Sequence, residues 1–126
     1  MKRILIVDDD PDIVELVQNR LKANKFEVIV ASNAKEGIEK AQKECPDLIL
    51  MDVMMPDLYG GDAVRVIKTD AQTKNIPVVF LTAVYNDKSP EGEESKGINV
   101  AGHDYPALGK PFSAKRLISI INQNLL

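Results

Sequence analysis

The stretch Arg3-Ile4-Leu5-Ile6-Val7-Asp8-Asp9-Asp10-Pro11 decides the fold. Four consecutive apolar residues are too few for a buried helix and show no alternation with polar ones, so they read as a strand buried on both faces. Burial on both faces requires helices on both sides of a sheet. Asp10 before Pro11 then reads as an N-cap followed by a first helical residue, with Ile13, Val14, Val17 and Leu21 on one face of the helix. The pattern repeats along the chain. Phe26 to Ala31 is a second strand. Ala34, Ile38, Ala41 and Cys45 recur at helical spacing until Pro46 stops the helix, and Asp47 to Met51 is a third strand. Gly60 and Gly61 open a third helix with Ala63, Val64 and Ile67 inward, and Ile76 to Leu81 is a fourth strand. Ser113 caps a last helix striped by Leu117, Ile118, Ile121 and Leu125. Strands alternating with helices predict a parallel α/β sheet covered on both faces.

Between Tyr85 and Gly102 the order breaks. Asn86, Ser89, Pro90, Gly92, Gly97 and Gly102 lie among charged residues with few apolar anchors. A solvent-facing loop is expected there, with at most a short helix around Glu91 to Lys96. The fifth strand, His103 to Leu108, contains Pro106, which cannot donate to a ladder and belongs at a sheet edge.

A chain of 126 residues is expected to be one domain, spanning 1–126. Its net charge of −3 gives no electrostatic reason to bind nucleic acid. Met1-Lys2-Arg3 precedes an apolar run too short for a signal peptide, and no run approaches membrane-spanning length, so the chain reads as cytoplasmic with no membrane contact. Cys45, the single cysteine, is expected to be a reduced, buried small hydrophobe.

Four of the five runs end on residues useful to phosphoryl chemistry: Asp8 and Asp9, Asp52, Thr82, and finally Lys110. Parallel strands bring these ends to one edge, where open α/β folds bind ligands. Asp10 and Asp12 are explained as helix-start residues. Asp8 and Asp9 are not, and adjacent carboxylates at a strand end call for a divalent cation. Asp52 beside them is a feasible nucleophile toward phosphorus. The Thr82 hydroxyl can donate to a phosphoryl oxygen, a bond to a charged group contributing roughly 1.5–3 kcal/mol. Lys110 is expected to pair with Asp52 at rest and with a phosphoryl oxygen afterwards.

The segments Ile4-Leu5-Ile6-Val7-Asp8-Asp9-Asp10, Asp47-Leu48-Ile49-Leu50-Met51-Asp52-Val53-Met54-Met55-Pro56 with Gly60 following, Leu81-Thr82-Ala83 and Lys110-Pro111-Phe112 together resemble the receiver domain of two-component response regulators. The resemblance implies a flavodoxin-like, doubly wound, five-stranded parallel sheet of order 2-1-3-4-5, here with the fourth helix largely replaced by a loop. It implies a phosphorylation-dependent switch, not an enzyme acting on other substrates. A sensor histidine kinase or phosphotransfer protein would donate to Asp52. Asp9, Asp52 and the Met54 carbonyl would ligate Mg²⁺, with Asp8 acting partly through water. Thr82 and Lys110 would hold the phosphoryl group, with Ala83 contributing to its binding, and the Lys110-Pro111 bond would be cis. The output would be a downstream protein target or a further domain of the parent chain, and the family also admits a homodimer.

Members usually carry an aromatic residue three positions before the lysine. Here that residue is Ala107, and Tyr105 lies five before it. Met54 and Val84, both apolar, flank the path of a hydrolytic water, so self-dephosphorylation is expected to be slow. A phosphate-insensitive binding module, a dehalogenase-type phosphatase and a flavodoxin are the competing readings. The intact acid–threonine–lysine set disfavours the first. The second needs an acid two residues beyond the nucleophile, and two residues beyond Asp52 stands Met54; for Asp8 it is Asp10, but Asp12 then stands where threonine or valine belongs. The acidic first loop disfavours the third. His103 is read as a solvated loop residue and not a phosphoacceptor.

Overall fold

The computed structural model describes residues 1–83 and 97–125. In chain order the elements are β1 (Arg3–Val7), α1 (Pro11–Ala23), β2 (Glu27–Ala31), α2 (Ala34–Glu44), β3 (Leu48–Asp52), α3 (Gly60–Thr69), β4 (Val78–Thr82), β5 (Ile98–Val100), β6 (His103–Tyr105), β7 (Ala107–Gly109) and α4 (Ala114–Asn124). A five-stranded parallel sheet has the order β2-β1-β3-β4-β7. This is the doubly wound, flavodoxin-like arrangement expected, with β7 as the fifth strand.

Residue alternation sorts the core into two layers. Leu5, Val7, Ile49, Met51, Val78 and Phe80 face α2 and α3. Ile4, Ile6, Leu48, Leu50, Val79 and Leu81 face α1 and α4, meeting Val17, Leu21, Leu117 and Ile121. Burial on both sides is why β1, β3 and β4 read as unbroken apolar runs. The Asp10 and Ser113 side chains cap α1 and α4 as expected.

The last third of the chain departs from expectation. His103 to Leu108 is not one strand. His103–Tyr105 pairs antiparallel with Ile98–Val100 in a separate hairpin, and only Ala107–Gly109 joins the main sheet beside β4. Pro106 stands at the break, where its carbonyl still accepts the Phe80 N–H at 2.9 Å. The two-residue turn Ala101-Gly102 has positive φ at both positions, 52° and 86°, the geometry that matches strand twist in a tight hairpin. The Asn99 side chain braces this turn, donating to Asp104 at 2.9 Å and accepting the Gly102 N–H at 3.3 Å. Val100, Ile98 and Tyr105 pack into the α2–α3 layer, so this hairpin covers part of that face of the sheet. Most of the predicted loop, including the short helix at Glu91 to Lys96, lies outside the described residues.

Cys45 is exposed, contrary to expectation. It terminates α2 in the left-handed region, φ 46°, which turns its side chain out of the apolar stripe while Pro46 behind it is buried. No helix among the described residues is long and apolar enough to cross a membrane.

Candidate functional site

Parallel pairing aligns the strand ends. Val7 lies opposite Met51 and Asp52 opposite Leu81, so Asp8, Asp52 and Thr82 emerge at one edge. Thr82 pairs with Gly109, and its carbonyl accepts the Lys110 N–H at 2.9 Å, which brings Lys110 to the same edge. Asp52 and Thr82 are the last residues of their strands, one position earlier relative to the strand end than the sequence pattern suggested. The Lys110-Pro111 peptide is cis.

Oxygens of Asp8, Asp9 and Asp52 lie within 4.8 Å of one another. Asp8 and Asp52 are buried, at 1% and 6% exposure, whereas Asp9 faces solvent. Lys110 makes the expected pair with Asp52, its Nζ 3.5 Å from Oδ1, but lies closer still to Asp8, 2.7 Å from Oδ2. The tight resting partner is therefore Asp8. The other Asp8 oxygen accepts the Asp10 N–H at 2.9 Å. Both oxygens of Asp8 are engaged, which leaves Asp52 less firmly compensated.

Burial, and then the neighbouring Asp8 charge, push the Asp52 carboxyl up to about 6, against the pull of Lys110 and the Met54 N–H. Burial works against the Lys110 charge, but its hydrogen bond to Asp8 and the fields of Asp8 and Asp52 hold its pKa above the ordinary value. Lys110 therefore stays charged wherever Asp52 titrates. With Asp52 raised in the fold and ordinary in the unfolded chain, the native state holds the extra proton between about pH 4 and pH 6. Metal-free stability from this group is thus present at low pH and lost as pH rises through 6. Near neutrality Asp52→Asn should stabilise the metal-free protein by roughly 1–2 kcal/mol after allowance for solvent screening. The gain should vanish below about pH 4. Thermal melts across this range check both statements.

Met54 is 65% exposed, its N–H directed to Asp52, and it forms an antiparallel bridge with Tyr59 across the loop. Gly60 permits this closure: a Cβ there would stand 2.3 Å from the Asp52 carbonyl oxygen. Ala83 is exposed beside Thr82, and Val84 lies outside the described residues. His103 is exposed on the hairpin, outside the five-stranded sheet.

Ala107, at the position where an aromatic was expected, is buried in β7. Tyr105 instead packs edge-on against Phe80, centroids 5.9 Å apart, with Lys68 Nζ 5.7 Å from its ring centre. Asp57 was not anticipated at all. Its carboxylate accepts the N–H groups of Ala34 and Lys35, at 3.1 and 3.0 Å, bridging the loop after Asp52 to the start of α2. An acid within a loop carries no sequence signal of a partner 22 or 23 residues away.

Residues 4–122 match the response regulator receiver domain family. The alkaline phosphatase synthesis transcriptional regulatory protein PhoP of Bacillus subtilis is 39% identical over 116 residues, covering 92% of this chain and 45% of PhoP. Protein PilH of Pseudomonas aeruginosa is 37% identical over 122 residues, covering 97% of this chain and 96% of PilH. The chain thus spans under half of one relative and nearly all of the other. The receiver domain of the sensor histidine kinase PA1611 from Pseudomonas aeruginosa, solved with a magnesium ion coordinated in its active site cleft, superimposes with a TM-score of 0.81 at 25% identity, covering 97% of this chain and 95% of that one. With its sheet order, its converging strand ends and these similarities in agreement, the chain belongs to the response regulator receiver domains.

Proposed function

We propose that the chain is a signalling switch that accepts a phosphoryl group on Asp52 in a Mg²⁺-dependent reaction. The observation that carries this reading is the buried Asp8–Lys110–Asp52 cluster, with Asp9 at its rim and Thr82 on the neighbouring strand. The donor set is all oxygen, and its acids lack sufficient compensation from Lys110 alone, so it suits a hard divalent cation. Asp9, Asp52 and the Met54 carbonyl would hold the ion, with Asp8, whose oxygens already take two hydrogen bonds, acting through water. Bound Mg²⁺ supplies charge neutralisation between the carboxylates and the incoming phosphoryl oxygens.

An Asp52 carboxylate oxygen attacks phosphorus, the bond from phosphorus to the donor breaks, and the donor leaves with the electron pair. Lys110, held charged by Asp8 and 3.5 Å from Asp52, would contact the new phosphoryl oxygens. Thr82, buried at the end of β4, would donate its hydroxyl to them, with Ala83 beside it. A sensor histidine kinase or phosphotransfer protein supplies the group in the cell. The output is a change in binding to a downstream partner.

Incubation of the protein with acetyl phosphate tests the reading. Intact mass should rise by one phosphoryl group with Mg²⁺ present and not with chelator. Met54 offers a hydrolytic water no side-chain hydrogen bond, so the adduct should outlast minutes after donor removal; loss within seconds would contradict that. No incorporation under any condition would favour a phosphate-insensitive binding module.

A further inference from the structure

The chain between β3 and α3 closes on itself at its base. Val53 donates to the Leu81 carbonyl at 3.0 Å, Gly60 donates back to Val53 at 2.7 Å, and Met54 bridges Tyr59. Its tip reaches another element. The two Asp57 oxygens separately accept the N–H groups of Ala34 and Lys35, the first two residues of α2. Such first-turn donors have no partner within their own helix.

The helix has a local cap as well. Asn33 accepts the Glu36 N–H at 2.8 Å, and the Glu36 side chain accepts the Ser32 N–H at 2.8 Å. Asp57 therefore adds something a sequence-local cap does not, a two-point tie between α2 and the loop that carries Met54. Its negative charge also faces the positive end of the helix. The Lys35 N–H, with smaller help from that of Ala34, holds its carboxyl below the ordinary range, so the tie is fully charged at neutral pH.

We propose that Asp57 is a positioning residue that clamps the Met54 loop to the α2 N-terminus, so that cation affinity at the acidic site depends on α2. This rests on the reading of that site as a Mg²⁺ site. The coupling is reciprocal: an ion that holds Met54 also tightens the clamp at Ala34 and Lys35.

The test is a Mg²⁺ titration followed by backbone amide NMR, with melting curves, on the unmutated protein and on Asp57→Ala, Asp57→Asn and Asn33→Ala. Asp57→Ala should weaken Mg²⁺ binding about tenfold, the lower end of what lost outer-shell support costs. Asp57→Asn keeps one acceptor oxygen and should lose less. Asn33→Ala removes a cap from the same helix end but leaves both Asp57 hydrogen bonds, so it should lower the melting temperature while weakening Mg²⁺ binding far less than Asp57→Ala does. In the unmutated protein, Mg²⁺ should slow hydrogen exchange at Ala34 and Lys35. Unchanged affinity in Asp57→Ala, equal weakening by Asn33→Ala, or exchange at Ala34 and Lys35 indifferent to Mg²⁺ would each overturn the clamp. Failure of the unmutated protein to bind Mg²⁺ would overturn the parent reading, and the clamp with it.

Discussion

Asp52→Asn should take up no phosphoryl group from acetyl phosphate and Mg²⁺ under conditions that label the unmutated protein fully. The substitution preserves shape but removes the nucleophile, because the amide's lone pairs are not available as those of a carboxylate are. Three carboxylates share the site, and their surroundings separate them. Both oxygens of Asp8 are committed, to Lys110 and to the Asp10 N–H. Asp9 is exposed, where its charge is screened and unassisted. Asp52 combines burial, a pKa raised above the ordinary carboxylate value, and an ammonium 3.5 Å away to meet the charge that arrives. Intact mass before and after donor addition reads the result directly. Residual labelling of Asp52→Asn would move the acceptor to another residue, which the masses of the proteolytic fragments would identify.

Lys110→Ala should be the most destabilising single change at the site. It leaves the fully buried Asp8 side chain without its 2.7 Å partner, beside a second buried carboxylate. Breaking a buried ion pair by removing one partner costs about 3–5 kcal/mol, and the lower end is expected here because Lys110 keeps slight solvent contact. Urea unfolding at neutral pH without metal should show this loss, and saturating Mg²⁺ should restore part of it by supplying positive charge. Lys110→Arg should not rescue fully, since a planar guanidinium cannot occupy the place of a compact ammonium. Equal stability of Lys110→Ala and the unmutated protein without metal would mean that solvent already screens the pair.

Much of the fold was legible because each of the first four strands carries its own signal. An apolar run buried on both faces, a helix stripe and a capping residue are local patterns, and local patterns survive in a sequence. Cys45 shows the limit. Its spacing fitted the α2 stripe, but the helix ends there in a left-handed residue, and a backbone angle overrides periodicity. The segment 98–109 shows it again. Strands of three residues are too short to display an alternation, and the Ala101-Gly102 turn lacks the usual asparagine or aspartate before glycine, so the second hairpin strand merged with the edge strand into one expected strand and Ile98–Val100 fell in the expected loop.

By itself the sequence determined the parallel sheet, its two covered faces, and the set of side chains delivered to the sheet's carboxyl edge, since strand parity and strand ends follow from neighbouring residues alone. Tertiary structure decided which of those side chains pair. Lys110 sits closer to Asp8 than to Asp52 while pairing with both, Tyr105 goes to Phe80 and Lys68, and Asp57 reaches α2. These choices depend on distances between elements 22 to 102 residues apart in the chain. Charge, burial and hydrogen bonding at that range are set by how the helices and strands pack, which no local pattern encodes.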